Sequence, residues 1–158
     1  MEWLALIALA KAAAEKKVEE LSVRDEAFAM EYMDQMEEGA LRHCEEVKCR
    51  TEHVFTPKLY TRIIFMPRGT FITSKIHKTT HPFVVMEGKC LVYNTLKPKQ
   101  PAEEVKAPYF GVTKPGTRRA IMVLEDTVWM TFHSTEKTTV EEIEKDIIKP
   151  YKNKLLTK

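Results

Sequence analysis

All eight prolines and four of the five glycines of this 158-residue chain lie beyond Thr51, and this punctuation most limits what the chain can fold into. Past that point the apolar runs are short and rich in β-branched and aromatic residues, the composition of strands rather than helices. Strands are predicted over 53–56, 59–66, 70–77, 82–87, 89–94, 108–113, 118–124 and 127–133. The breaks between them are Pro67-Arg-Gly69, Glu87-Gly88, Lys114-Pro-Gly116 and Glu125-Asp126. So many short strands in so few residues close into a sandwich or barrel. The segment from Leu96 to Lys106, with Lys97, Lys99 and two prolines, reads as a surface loop. Thr138-Thr-Val-Glu141 reads as a capping box for a terminal helix over 139–148, stopped by Pro150.

The first fifty residues have a different texture. Leu4, Ile7, Ala10, Ala14, Val18 and Leu21 draw one stripe along a helix over 2–21. Ser22 and Asp25 form a weak cap for a second helix, whose stripe runs through Val23, Ala27, Met30, Met33, Met36, Ala40, Cys44 and Val47 at a spacing near ~3.5. That stripe suits packing on the first helix, on the downstream domain, or on another subunit. Residues 1–50 carry 7 Lys/Arg against 12 Asp/Glu, and the remainder 18 against 11, so an acidic arm precedes a basic body. The organisation expected is a helical extension over 1–50, a barrel over 51–137, and a C-terminal helix and tail over 138–158.

Composition also excludes classes of function. No apolar run reaches the ~18 residues of a membrane span. The apolar start from Trp3 to Ala10 follows Glu2 with no Lys or Arg before it, so an ordinary helix is expected rather than a secretory signal. Three cysteines make no disulfide framework and suit a reducing compartment, so a cytoplasmic location is expected. His43, Cys44, Cys49 and His53 have poor spacing for zinc; Cys44 on the helical stripe and Cys90 in a strand read as buried small hydrophobes. The basic residues are scattered without a recognised motif, so no nucleic acid partner is expected, and no P-loop or nucleophile elbow is present.

The stretches "GTFITSKIHKTTHPFVVMEGKCLVY", "APYFGVTKPGTRRA" and "EDTVWMTFHSTEKTTVEEIE" resemble the cupin superfamily, RmlC-like jelly-roll barrels. Within it, the chain is most similar to short cupin-like proteins of tailed bacteriophages. The resemblance covers roughly residues 53–147. It implies a mainly β fold, a single jelly-roll barrel with an N-terminal helical extension and a short C-terminal helix. Family metal sites take two His and a Glu from a first motif and a His from a second. Counting back from Gly88, His81 stands where the Glu belongs, His77 at the second His and Lys75 at the first, while Arg119 replaces the His of the second motif.

Two readings of this altered set follow. Residues two apart on a strand share a face, so Lys75 and His77 are expected to point into the barrel, with Arg119 on the facing strand. Lys75, His77, His81 and Arg119 then form a positive pocket for a carboxylate or phosphate, and Tyr93 and Tyr109 offer stacking faces for a sugar-like body, as do Tyr60 and Trp129. Alternatively His77, His81 and His133 hold a divalent metal such as Zn, Fe, Mn or Ni, although nearby Lys and Arg charges oppose it. The functions left open are a binding module for a small anionic or sugar-like molecule, a metal-dependent or His/Lys acid–base enzyme, and an oligomeric assembly protein. The phage resemblance implies a setting in the host cytoplasm or the virion, sequestration of a host metabolite or signal, and a homo-oligomer built through the helical arm.

Overall fold

In a computed structural model the described residues are 25–157. The helix expected over 2–21, and the Ser22 cap and Val23 that open the second stripe, lie outside them. The chain runs α1 (Asp25–His43), β1 (Arg50–Thr56), β2 (Leu59–Met66), β3 (Phe71–Thr73), β4 (Ile76–His77), β5 (His81–Asn94), β6 (Glu103–Lys106), β7 (Tyr109–Thr113), β8 (Arg119–Ser134), α2 (Val140–Ile147) and β9 (Ile148–Lys149), ending in a 3-10 turn (Lys154–Thr157). Strands β1-β2-β8-β5-β6 pair in that order, with β3 also on β8 and β7 also on β5, while β4 and β9 make a separate pair. The fold is mainly β, a jelly roll with, among the described residues, one helix before the barrel and one after it.

Two long strands organise the barrel. The paired runs expected at 82–94 and at 118–133 are each continuous, as β5 and β8, and bend rather than break. Register shifts between Val85 and Cys90 absorb the bend. Gly88 sits there at φ +84, where a Cβ would run into the Asp126 carbonyl oxygen, so only glycine fits. Each long strand thus serves both sheets of the roll.

Period-two alternation sorts the interior from the exterior. Phe83, Val85, Cys90 and Val92 of β5 meet Ile121, Val123 and Trp129 of β8 in the core. Cys90, at 0 % exposure, donates its thiol to the Thr127 hydroxyl at 3.3 Å and packs as a small hydrophobe, as expected. On the outer face Tyr93 and Ala120 are covered by Met33 of α1. The stripe of α1 is therefore spent on its own barrel. The helix stops at His43, and Cys44 and Val47, read as part of that stripe, are exposed.

A buried charged clasp fixes α1. Arg118 places one guanidinium nitrogen 2.7 Å from Asp34 and another 3.1 Å from Glu37. Tyr151 donates to Asp34 at 2.6 Å, Asn153 to Glu37 at 2.8 Å, and Thr73 to Glu37 at 2.7 Å. The C-terminal segment, the helix and the sheet edge are tied at one point. At the other end of the barrel, α2 buries Ile143 and Ile147 against Tyr60. Its N-cap is Thr139 with Glu142, one residue later than the Thr138–Glu141 box expected. The loop expected from Leu96 to Lys106 contains a strand, β6, whose Val105 faces the core opposite Cys90; its alternating charges hid a single inward residue.

Candidate functional site

The inner polar end of the barrel is built by register. Thr113 of β7 lies opposite His81, Thr131 opposite Phe83, and His133 opposite Tyr60, all with side chains inside. His77 arrives from β4, held by a backbone hydrogen bond from its N–H to the Thr117 carbonyl at 3.3 Å and by its pairing with Ile148 of β9. Ring centroids of His77 and His81 stand 4.5 Å apart, those of His81 and His133 4.2 Å, and those of His77 and His133 6.0 Å. Tyr60 stacks on His133 at 5.8 Å and meets the Nδ1 of His53 through its hydroxyl at 2.7 Å.

The three rings are uncharged at neutral pH. Burial, then the neighbouring His81, His133, Arg119 and Arg62, pushes His77 down to about 3. Burial, then His81 and Arg62, pushes His133 down to about 4. His81 is lowered chiefly by burial, against a hydrogen bond to the Thr79 carbonyl that favours its protonated form. One nitrogen of each ring is buried without a partner: His77 Nδ1, His81 Nε2 and His133 Nδ1. Among the described residues, however, no group of three or more His, Cys, Asp or Glu side chains is arranged to hold a metal ion.

Arg119 lies between this cluster and a cavity of about 120 Å³, walled by Arg119, Phe83, Tyr109, Trp129, Asn94 and the 97–105 segment. Its guanidinium carbon sits 4.9 Å over the Phe83 ring, which is itself stacked on Trp129 at 4.6 Å. Arg119 is 7 % exposed, and among the described residues no carboxylate pairs with it. Burial drags its pKa down to about 10, partly opposed by Tyr109. A buried guanidinium without a counterion is costly, and here it opens on space.

The expected site residues divide. His77, His81, His133 and Arg119 come together inside the barrel, and Tyr109 shares the cavity with Arg119. Lys75 does not enter. The strand expected over 70–77 breaks at Ser74-Lys75, so the period-two argument fails there; Lys75 turns outward and binds Glu144 of α2 at 2.7 Å. Tyr93 also faces away, edge-on to Tyr32 of α1 at 5.8 Å, with its hydroxyl pushed up to about 12 by burial and Tyr32. Tyr60 packs against histidines and α2 instead of offering a face to the cavity. Sequence reasoning missed Asn94, Gln100 and Glu103 on the cavity wall. Asn94 falls two residues after Val92 on the inward side, a parity that the register shifts near Gly88 set and the sequence did not.

No protein-family model matches the chain, and no curated protein matches it in sequence. Solved structures match in fold. Oxalate decarboxylase of Lactobacillus farciminis, in a formate complex, superposes with a TM-score of 0.51 at 13% identity; the match covers 66% of this chain and 32% of that one. An RmlC-like cupin family protein with a double-stranded β-helix fold from Methanocaldococcus jannaschii gives 0.47 at 12% identity, covering 58% and 84%. KdgF from a Halomonas species gives 0.47 at 15%, covering 59% and 87%. At these identities the likeness concerns the fold.

Proposed function

We propose that this chain of cupin fold is a binding protein for a small anion, a carboxylate or phosphate, held on Arg119 in the cavity beside Tyr109. The observation that carries the reading is the buried, unpaired Arg119 guanidinium facing that cavity. Such a group gains most from a bidentate oxyanion, which supplies both charge and hydrogen-bond acceptors. The cavity, about 120 Å³, is small beside the ~300–1,000 Å³ of drug-sized sites, so the ligand is a compact acid. Tyr109 and Trp129 flank it with aromatic surface, while Asn94 and Gln100 offer polar atoms for hydroxyls. In this reading the neutral histidines beyond Arg119 leave the guanidinium as the dominant charge. Sequestration of a host metabolite, and a virion or host-cytoplasm setting, rest on the sequence resemblance to phage proteins.

The test is calorimetric titration with inorganic phosphate and a panel of small mono- and dicarboxylates. At least one should bind the wild type, and Arg119→Gln should weaken it by roughly ten- to a hundredfold, the loss of a charge-assisted pair. Unchanged affinity in a folded Arg119→Gln protein, or no binding of any acid, defeats the reading.

A second reading rests on the three unpartnered ring nitrogens of His77, His81 and His133. Neutral imidazoles are the right donor type for Zn, Fe, Mn or Ni, but as placed they do not form a metal site, and Arg119 and Arg62 oppose a cation. A bound ion would supply Lewis-acid polarisation of a ligand oxygen. Metal content of the purified protein tests this: a near-stoichiometric ion lost in both His77→Ala and His133→Ala supports it, and a metal-free wild type ends it.

A further inference from the structure

We propose that the outward face of strands β1, β2, β8, β5 and β7 seats the same face of a second copy of this chain, across a two-fold axis that lies in the interface and crosses the strands. The face follows from register. Glu52, Ile63, Met130, Val84 and Phe110 stand opposite one another across the five strands. Strand alternation turns them away from the core, which Val85, Val123 and Trp129 fill from the other side. In the row on one side Arg50, Phe65 and Val128 are aligned, and in the row on the other Val54, Thr61 and Phe132. The described helices are engaged elsewhere, α1 on the Tyr93–Ala120 surface and α2 on Tyr60.

Three features select a second copy. The first is area. Phe110 is 66 % exposed, Met86 53 %, Val112 51 % and Val54 44 %. With the half-buried residues between them, the face leaves roughly 700 Å² of apolar surface open, above the ~300–600 Å² of the largest patch on an ordinary monomer and close to the ~800 Å² that each partner of a stable dimer buries. The second is composition. Across β2, β8 and β5 the three rows carry no charged side chain, as in interfaces between permanent partners, which resemble a core cut in half. A nucleic acid or a charged peptide would find no counter-charge there. The third is charge at the rim. Arg50 and Glu52 are neighbours on the outward side of β1, their charged atoms 3.7 Å apart. Rotation about an axis that crosses the strands between their two rows sets Arg50 over the partner's Glu52, and Glu52 over the partner's Arg50, so two adjacent residues of opposite sign make the rim self-complementary.

The experiment is sedimentation velocity of the full-length chain. The wild type should be a dimer at micromolar concentration. Phe110→Glu/Met86→Glu, changed at two exposed positions, should sediment as a monomer while keeping the circular dichroism of the wild type. A monomeric wild type overturns the proposal and leaves the face to another segment of this chain or to a foreign partner. A dimer that survives Phe110→Glu/Met86→Glu also overturns it, because the contact then lies elsewhere. Charge exchange tests the axis. Arg50→Glu and Glu52→Arg, made singly, should each raise the dimer Kd several-fold, and the two made together should associate more tightly than either alone. A double variant weaker than both single ones overturns the two-fold arrangement.

Discussion

The histidine cluster makes acid sensitivity a quantitative expectation. His77 and His133 are held neutral in the folded chain, at about 3 and about 4, against ~6.5 in an unfolded chain. Below pH 6.5 the unfolded state takes up protons that the folded state refuses, so stability falls as pH falls. At pH 5 both folded values are still well below ambient, and the interaction between the sites drops out because neither is charged. Each site then costs about 2 kcal/mol, from ~1.4 kcal/mol per unit over the ~1.5 units below 6.5. The two together remove about 4 kcal/mol between pH 8 and pH 5, and His81, lowered in the same direction, adds to this. Carboxylates titrate mostly below this window, so the histidines dominate it. For a chain of this length the loss is roughly 8–16 °C in Tm. The assay is thermal unfolding followed by circular dichroism from pH 8 to 5, with a chelator present so that no ion occupies the ring nitrogens. His133→Gln should remove about 2 kcal/mol of the pH dependence, because glutamine does not titrate. A flat Tm across the window, or an unchanged slope in both His133→Gln and His77→Gln, refutes the buried neutral cluster.

Two further expectations concern the frame around the site. Arg118→Ala strands Asp34 and Glu37 without their buried cation, and chemical denaturation should show a loss of about 3–5 kcal/mol. A loss below ~1 kcal/mol means the clasp is solvated. Gly88→Ala drives a methyl group into the Asp126 carbonyl and should cost well over ~2 kcal/mol, whereas Gly69→Ala, at φ +83 in open space, should cost only the ~1–2 kcal/mol of its backbone angle. Equal losses at the two sites contradict the close packing of β5 on β8.

The barrel was legible in sequence because its signals are local. Turn residues and alternation gave β2 at its true bounds and the neighbourhood of every long strand, and a Pro-Gly turn located Arg119. Long-range pairing was not local. Nothing near Lys75 says that Ile76-His77 leaves the main sheet to pair with Ile148-Lys149, yet that choice swings Lys75 toward Glu144. Nor does any periodicity distinguish Tyr93, facing a helix, from Tyr109, facing a cavity; that depends on the register shifts near Gly88 that invert the parity of β5 midway. His77 and His81 were reached through the family resemblance, counted back from Gly88, and His133 was added on the condition that its strand faces inward, as it does. That the described residues give the cluster no third ligand arranged for a metal ion was not legible.

The consecutive Arg118 and Arg119 carry the sharpest contrast in the molecule. Strand alternation sends one outward and the other inward, and both are buried, at 3 % and 7 % exposure. Each guanidinium loses hydration worth several kcal/mol. Arg118 recovers it through two carboxylates. Arg119 has the Phe83 ring, and a desolvated cation–π contact contributes about 2 kcal/mol or somewhat more, against a desolvation cost of several kcal/mol. Under the proposed anion site, Arg119 destabilises the empty fold and is compensated only when an acid is bound. Arg119→Met, similar in length and apolar, should therefore raise the ligand-free stability by about 1–4 kcal/mol, while abolishing the Tm increase that the proposed anion site predicts for the wild type with an acid. A ligand-free Arg119→Met protein less stable than wild type means that the guanidinium is satisfied without a ligand, and removes the physical basis for an anion site.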